Sequence, residues 1–155
     1  MKIEFTLNNR TISTHILPGE YLIETLQKCN IHSIRRGCDT TNCGVCTVLL
    51  DDKPVPSCSV LSAQVDHHSI TTVEGIAHET EKLSAHFGKE GADQCGYCNP
   101  ALALAVFALR KENSHPTSTE IDEYLVGNLC RCSGFKNQNK AIAAYFEEEA
   151  YQEEQ

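Results

Sequence analysis

The sequence predicts an α+β chain in two parts, a small mixed sheet packed on one helix and then a set of helices. Three observations carry that prediction. Apolar and polar residues alternate near the N-terminus with the two-residue period of a half-buried strand. Beyond about Gly75 the apolar spacing lengthens to the 3.6-residue period of helices. Eight of the nine cysteines fall into two quartets, one in each part.

Each element follows from local pattern. Ile3, Phe5 and Leu7 alternate with Lys2, Glu4 and Thr6. Asn8 and Asn9 tolerate positive φ, so Thr11 to Ile16 can return as the second arm of a hairpin. Pro18-Gly19 ends that arm, and Leu22, Leu26 and Cys29 share one face of a short helix. Val45 to Leu50 and Val55 to Val60 flank an Asp51-Asp52-Lys53-Pro54 turn, a second hairpin, and Ser69 to Val73 adds a last strand. In the second part, Glu79 to Phe87 reads as a short helix. Asn99 supplies an N-cap and Pro100 the first helical position of the next one. Ala101 to Leu109 is apolar all round, which predicts a helix buried at the centre of its domain. Thr117-Ser118-Thr119-Glu120 is a capping box leading into the Ile121, Tyr124 and Leu125 stripe, with Gly127 as terminator. Ile142, Tyr145 and Phe146 mark one more helix. Glu147-Glu148-Glu149 and Glu153-Glu154 read as its solvated, frayed end.

Composition narrows the function classes. The 155 residues suit one large or two small domains. A formal charge of −8 repels phosphate backbones and disfavours nucleic acid as a partner. The longest apolar run, Ala101 to Leu109, falls far short of the roughly 20 residues a bilayer requires, so no membrane span is expected. An odd cysteine count and an N-terminus without an apolar leader argue against a secreted disulfide framework. The expectation is a soluble, cytoplasmic protein whose clustered thiols bind metal.

The first quartet is Cys38-x4-Cys43-x2-Cys46-x11-Cys58, the plant-type ferredoxin run in which one tight loop supplies three thiolates. Gly44 inside that loop permits the dihedrals that turn amide N–H groups toward sulfur. The second quartet is Cys95-x2-Cys98-x31-Cys130-x-Cys132. Each of its pairs precedes a helix, where free N–H groups and the positive end of the helix dipole favour thiolates. Arg131, between two of these cysteines, is expected to point away from the metal. Both quartets read as iron–sulfur sites, the first with the spacing of a [2Fe–2S] cluster, which makes the chain an electron conductor. Zinc is the alternative: four thiolates hold Zn²⁺ with no redox role, giving a zinc-stabilised adaptor, although C-x4-C-x2-C and C-x-C suit zinc poorly. A free-standing ferredoxin-like carrier is a third reading. Cys29 is expected to be a buried structural thiol. His15, His32, His67, His68, His78, His86 and His115 show no ligand spacing and read as surface or turn residues. No nucleophile triad, phosphate loop or carboxylate pair emerges, so no catalytic residue is assigned to this chain.

Two fragments carry a resemblance: Gln94-Cys95-Gly96-Tyr97-Cys98-Asn99-Pro100 and Gly127-Asn128-Leu129-Cys130-Arg131-Cys132-Ser133-Gly134-Phe135. They closely resemble signatures of the iron–sulfur subunit of the xanthine dehydrogenase family of molybdenum hydroxylases. Members also include carbon monoxide, aldehyde and nicotinate dehydrogenases. The resemblance implies a plant-ferredoxin-like β-grasp domain over residues 1–75, with Cys38, Cys43, Cys46 and Cys58 on one [2Fe–2S] cluster. It implies a four-helix bundle over residues 76–155, with Cys95, Cys98, Cys130 and Cys132 on the other. It further implies a large molybdopterin-binding subunit approached by Gln94, and a medium FAD-binding subunit facing the ferredoxin-like cluster. Electrons would run from molybdenum through the bundle cluster and the ferredoxin cluster to FAD. The sequence departs from the family pattern at four positions. Thr41 stands in place of the first glycine of C-x-x-G-x-C-G-x-C, Asn99 where threonine is common, Ala101 where glycine is usual, and Gln138 where an apolar residue is usual. Among substrates of such complexes, the resemblance leans toward a purine such as xanthine.

Overall fold

The first strand pair forms because two asparagines can take the turn that closes it. In the computed structural model, which describes residues 1–153 and side chains to 150, β1 (Lys2–Leu7) and β2 (Arg10–His15) pair antiparallel in register Lys2↔His15. Asn8 and Asn9 sit at φ +48° and +64°, the left-handed pair that a two-residue hairpin requires. The second hairpin uses the same device. β3 (Thr47–Leu50) and β4 (Lys53–Pro56) meet across Asp51 and Asp52, at φ +48° and +67°. The turn is therefore two residues long, and Lys53-Pro54 belongs to the strand rather than to the turn. β5 (Ser69–Thr71) runs parallel to β1 and antiparallel to β3, completing the order β2-β1-β5-β3-β4.

The two faces of this mixed sheet have different partners. Ile3, Phe5, Leu7, Val48 and Ile70 face α1 (Leu22–Lys28), whose Leu22, Ile23 and Leu26 are buried against them. Leu49, one residue from Val48 and so on the opposite face, packs against Ile76, Leu104 and Ala108. Leu104 and Ala108 belong to α3 (Asn99–Glu112). Its other side, including Leu102, Ala105, Val106 and Leu109, packs into a core shared with α2 (Ala77–Lys89), α4 (Ser118–Tyr124) and α5 (Gly134–Glu153). That is why α3 is apolar all round. It is not central to one domain but is shared between the sheet and the helices, and each leucine so buried contributes about 1.5–3 kcal/mol.

Several boundaries differ from the sequence reading for identifiable reasons. α3 begins at Asn99 with Cys98 as its N-cap, so Asn99 does not cap the helix. Its Nδ2 instead donates to Asp93 Oδ1 at 2.9 Å. Gly127 does not terminate α4: the helix ends at Tyr124, and Gly127 does not have positive φ. The Thr117 capping box is present, with Thr117 N donating to Glu120 Oε2 at 2.7 Å. The glutamates are not all solvated. Glu149 is buried within α5 and accepts from Lys82 Nζ at 2.8 Å and Arg110 at 2.6 Å, tying α5 to α2 and α3. Glu154 lies outside the described residues. His86, expected at the surface, is buried on α2 against the edge of Tyr145 and 3.3 Å from Glu148. Cys29 caps the end of α1 and is half-buried rather than fully buried.

A second buried carboxylate fixes the start of α1. Glu20 accepts from Leu17 N at 3.1 Å, Thr25 Oγ1 at 2.6 Å and Lys28 Nζ at 2.6 Å. Thr25 has one proton and gives it to Glu20, so the 2.7 Å contact between Thr25 and Ser62 is donated by Ser62. Burial alone would raise the Glu20 pKa, but Lys28, Thr25 and the Leu17 amide outweigh it and hold the group at about 2, against an ordinary 4.5. The depressed value means that Glu20 stabilises the fold fully above pH 4.5 and loses that contribution as pH falls toward 2. Because Lys28 is half-exposed, the gain is discounted to about 2 kcal/mol. Glu20→Gln should lose that amount in urea unfolding at neutral pH, and the gap between variant and parent should close as the titration passes below pH 4.5.

Candidate metal centres

Loop conformation places the first three thiols. After Ile34 the chain turns through Gly37 to Cys38, then takes left-handed backbone at Thr41 (φ +56°) and Gly44 (φ +68°). These reversals aim backbone amides inward. Asn42 N donates to Cys38 Sγ at 3.4 Å, and the amides of Cys43 and Thr40 also face that sulfur. The Asn42 amide leads the effect that lowers the Cys38 pKa to about 6. Cys46, at the mouth of β3, is buried, and burial pushes its thiol up to about 11. Cys58 lies in the turn after β4, where Ser57 N and Oγ both donate to the Cys46 carbonyl, at 3.2 and 2.7 Å.

The second quartet is assembled from two helix openings. Cys95 and Cys98 precede α3 around Gly96 (φ +68°), with Tyr97 N donating to Cys95 Sγ at 3.5 Å. Cys130 and Cys132 precede α5, which opens at Gly134 (φ +68°). Burial would raise the Cys130 thiol, yet the amides of Ser133, Cys132 and Gly134 point at it and bring it below the ordinary value. Cys98 goes the other way, pushed up to about 11 by burial. Cys95 and Cys132 are exposed. A cavity of about 520 Å³ is lined by all four of these cysteines and by Cys43 of the first quartet. Arg131 also lines it. A groove of about 580 Å³ lies apart, between Pro116 and Phe146, and contains no thiol.

The structure brings the eight predicted cysteines together two by two. Cys38 pairs with Cys43 and Cys46 with Cys58. Cys98 pairs with Cys130 and Cys95 with Cys132. All nine cysteines are free thiols. Among the described residues, no three His, Cys, Asp or Glu side chains converge on one metal-ion position. Two thiol pairs per site suit a two-iron rhomb, in which each iron takes two cysteines, better than a single tetrahedral ion. To serve as thiolate ligands, buried Cys46 and half-buried Cys98 would need metal charge to offset their desolvation, since burial otherwise keeps both as neutral thiols.

The two loops touch. Leu129 N donates to the Cys43 carbonyl at 2.9 Å, and Asn128 Nδ2 lies 3.5 Å from the Gly44 carbonyl. A Cβ on Gly44 would stand 2.1 Å from the Gly127 carbonyl oxygen, so only glycine permits the approach. A second clasp joins Arg35 to the Gly96 carbonyl at 3.0 Å, with its guanidinium 5.0 Å above the Tyr97 ring. Tyr97 Oη donates back to the Arg36 carbonyl at 3.0 Å. Sequence reasoning did not find Arg35, Tyr97 or Leu129 as bridging residues. An aromatic and a leucine beside cysteines, both exposed here, were the available signal. Gln94 is exposed at the outer edge of the second loop.

Comparison with known proteins agrees with this geometry. The 2Fe-2S iron–sulfur cluster binding domain matches residues 5–74, and the [2Fe-2S] binding domain matches residues 72–143. The chain is 40% identical over 138 residues to the xanthine dehydrogenase iron–sulfur-binding subunit of Escherichia coli O157:H7, covering 86% of this chain and 87% of that one. It is 36% identical over 143 residues to the nicotinate dehydrogenase small FeS subunit of Eubacterium barkeri, covering 90% and 91%. The crystal structure of quinoline 2-oxidoreductase from Pseudomonas putida 86 superposes with a TM-score of 0.89 at 31% identity, covering 98% of this chain and 96% of that one.

Two substitutions test the loops. Gly44→Ala, facing both a carbonyl clash and a left-handed backbone, should cost about 2–4 kcal/mol in thermal unfolding and accelerate hydrogen exchange at the Leu129 amide. Thr41→Gly should act oppositely. A β-branched residue at φ +56° is strained, so glycine should raise stability by about 1 kcal/mol after its greater unfolded-state entropy is counted, read as a higher unfolding midpoint.

Proposed function

Since the chain belongs to the family of small iron–sulfur subunits of xanthine and nicotinate dehydrogenases, we propose that it is the electron-transfer subunit of a molybdenum- and flavin-containing hydroxylase. Cys38, Cys43, Cys46 and Cys58 are the ligands of one [2Fe–2S] cluster, and Cys95, Cys98, Cys130 and Cys132 those of the other. When bound, the clusters supply one-electron redox capacity at each quartet. The chain's own residues set where that capacity sits: the thiol pairs grip, the inward amides stabilise negative charge on sulfur, and the loop contact holds the sites adjacent.

One observation carries the reading. The Cys43 carbonyl accepts the Leu129 amide, and Leu129 precedes Cys130, so one hydrogen bond joins a thiol of the first quartet to a thiol of the second through backbone. A structural zinc adaptor has no need of such a bridge. The first 75 residues form the plant-ferredoxin-like β-grasp domain, and the helices between residues 76 and 153 the four-helix bundle. The partners are a large molybdopterin subunit, reached through the exposed Gln94 and Cys132 edge, and a medium FAD subunit. Substrate conversion belongs to the large subunit, and no catalytic residue lies on this chain. No helix among the described residues is long and apolar enough to cross a membrane. We place the complex in the cytoplasm, whose reducing conditions would keep eight thiols available as ligands.

Iron and acid-labile sulfide analysis of the anaerobically purified chain should give about four of each, with two distinct [2Fe–2S] signals by electron paramagnetic resonance after reduction. Cys95→Ser should remove or alter one signal and leave the other. Zinc with no labile sulfide would sink the proposal.

A further inference from the structure

The second quartet has a polar neighbour that neither its cysteine spacing nor its ligand set requires. Gln138 lies on α5, one turn beyond Gly134, and is 2% exposed. Its Nε2 is 3.8 Å from Cys98 Sγ, within reach of an N–H···S hydrogen bond. A buried primary amide loses its water and must find partners inside the protein. A neutral thiol is a weak acceptor, whereas a metal-bound thiolate is a strong one that only accepts, which fixes the amide with its nitrogen toward sulfur.

The other thiols of this quartet show why the contact matters at Cys98. Cys95 receives the Tyr97 amide, and Cys130 receives the amides of Ser133, Cys132 and Gly134. Cys98, the residue before α3, has its own backbone amide and, as the stronger donor, a glutamine side chain from another helix facing its sulfur. Its own neighbour Asn99 presents Oδ1 to the sulfur at 3.8 Å, an acceptor that cannot stabilise a thiolate.

We infer that Gln138 is a positioning residue that donates an N–H···S hydrogen bond to Cys98 and thereby raises the reduction potential of the second centre selectively. The inference rests on the iron–sulfur reading above. Reduction adds negative charge that spreads onto the ligand sulfurs, and a donor aimed at one of them stabilises the reduced state more than the oxidised state. Gln138 is not among the groups acting on Cys38, Cys43 or Cys46, so the potential of the first centre should not respond.

The test is an EPR-monitored redox titration of the intact complex carrying Gln138→Met, which keeps side-chain length and apolar volume and removes the N–H. The equilibrium between the two centres should shift about tenfold away from the second, equivalent to ~59 mV for one electron, with the first centre unmoved. Gln138→Leu, which likewise removes the N–H donor, should shift it in the same direction. A second-centre midpoint unchanged in both variants would overturn the inference while leaving four irons and two signals, and hence the iron–sulfur reading, intact. Absence of those signals in the parent protein would instead defeat that reading. Should the variants fail to assemble, pulsed EPR of the parent labelled with ¹⁵N at the glutamine amide decides the matter. A nitrogen coupling to the reduced second centre supports the bond, and no such coupling refutes it.

Discussion

The carbonyl of Cys43 accepts the amide proton of Leu129, and the surrounding residues are those that let two cysteine loops come close enough to make that bond. Gly44 must lack a side chain because the Gly127 carbonyl occupies the space a Cβ would need. Arg35 and Tyr97 brace the approach from a second side. A single backbone hydrogen bond contributes only about 1 kcal/mol net, too little to hold the two halves of the chain together. The holding force is apolar. Leu49 on the sheet and Leu104, Ala108 and Ile76 beyond it bury the shared face of α3, at about 1.5–3 kcal/mol per large side chain. The hydrophobic contact supplies the energy, and the hydrogen bond converts it into a fixed geometry between thiols.

Charge is distributed so as not to disturb that geometry. Glu149, the buried acid of the helical half, sits 15 residues along α5 from Gly134, about 22 Å from the helix opening at 1.5 Å per residue. Lys82 and Arg110 meet it there. Glu20 is likewise enclosed by Lys28 and Thr25 at the start of α1. Around Cys38, Cys95 and Cys130 the donors are instead backbone amides, which favour negative sulfur without adding a competing negative charge.

Much of the chain was legible from its residues because local pattern and tertiary role coincide there. Ile3, Phe5 and Leu7 alternate and are buried; Asn8-Asn9 turns; Thr117 and Glu120 form their capping box. Cysteine spacing placed eight thiols in two quartets, and each quartet closes as two adjacent pairs. The misreadings arise where long-range contact decides. Glu149 looked like part of a solvated run because nothing local announces Lys82, 67 residues away. Gly127 looked like a helix stop, but the helix ends at Tyr124 and the region around Gly127 instead lies against the Cys43–Gly44 loop. Asn99 has a capping side chain, but a nearby Asp93 claims it. The role of α3 between sheet and helices could not be read from its own composition, since uniform apolarity states that a helix is buried without saying between what.

The sulfur environment divides into a part dictated by backbone and a part that is not. Thr41, Gly44, Gly96 and Gly134 all take left-handed φ within two residues of a cysteine, and it is these reversals that turn amides such as Asn42 N and Tyr97 N toward sulfur. Donors of this kind are inseparable from the fold of the loop. Removing one means changing φ, and with it the position of the thiol. A side-chain donor obeys a different constraint. Gln138 hangs from α5, whose path is set by Ile142, Tyr145 and Phe146 in the helical core, and exchanging its amide for an apolar group requires no change of φ in loop or helix. Backbone amides therefore fix the common chemistry of a thiolate cage, while a buried side chain such as Gln138 adjusts one centre relative to its neighbour. In a relay of two adjacent sites the difference between them sets the direction of flow, and that difference is what one hydrogen bond on one sulfur can move.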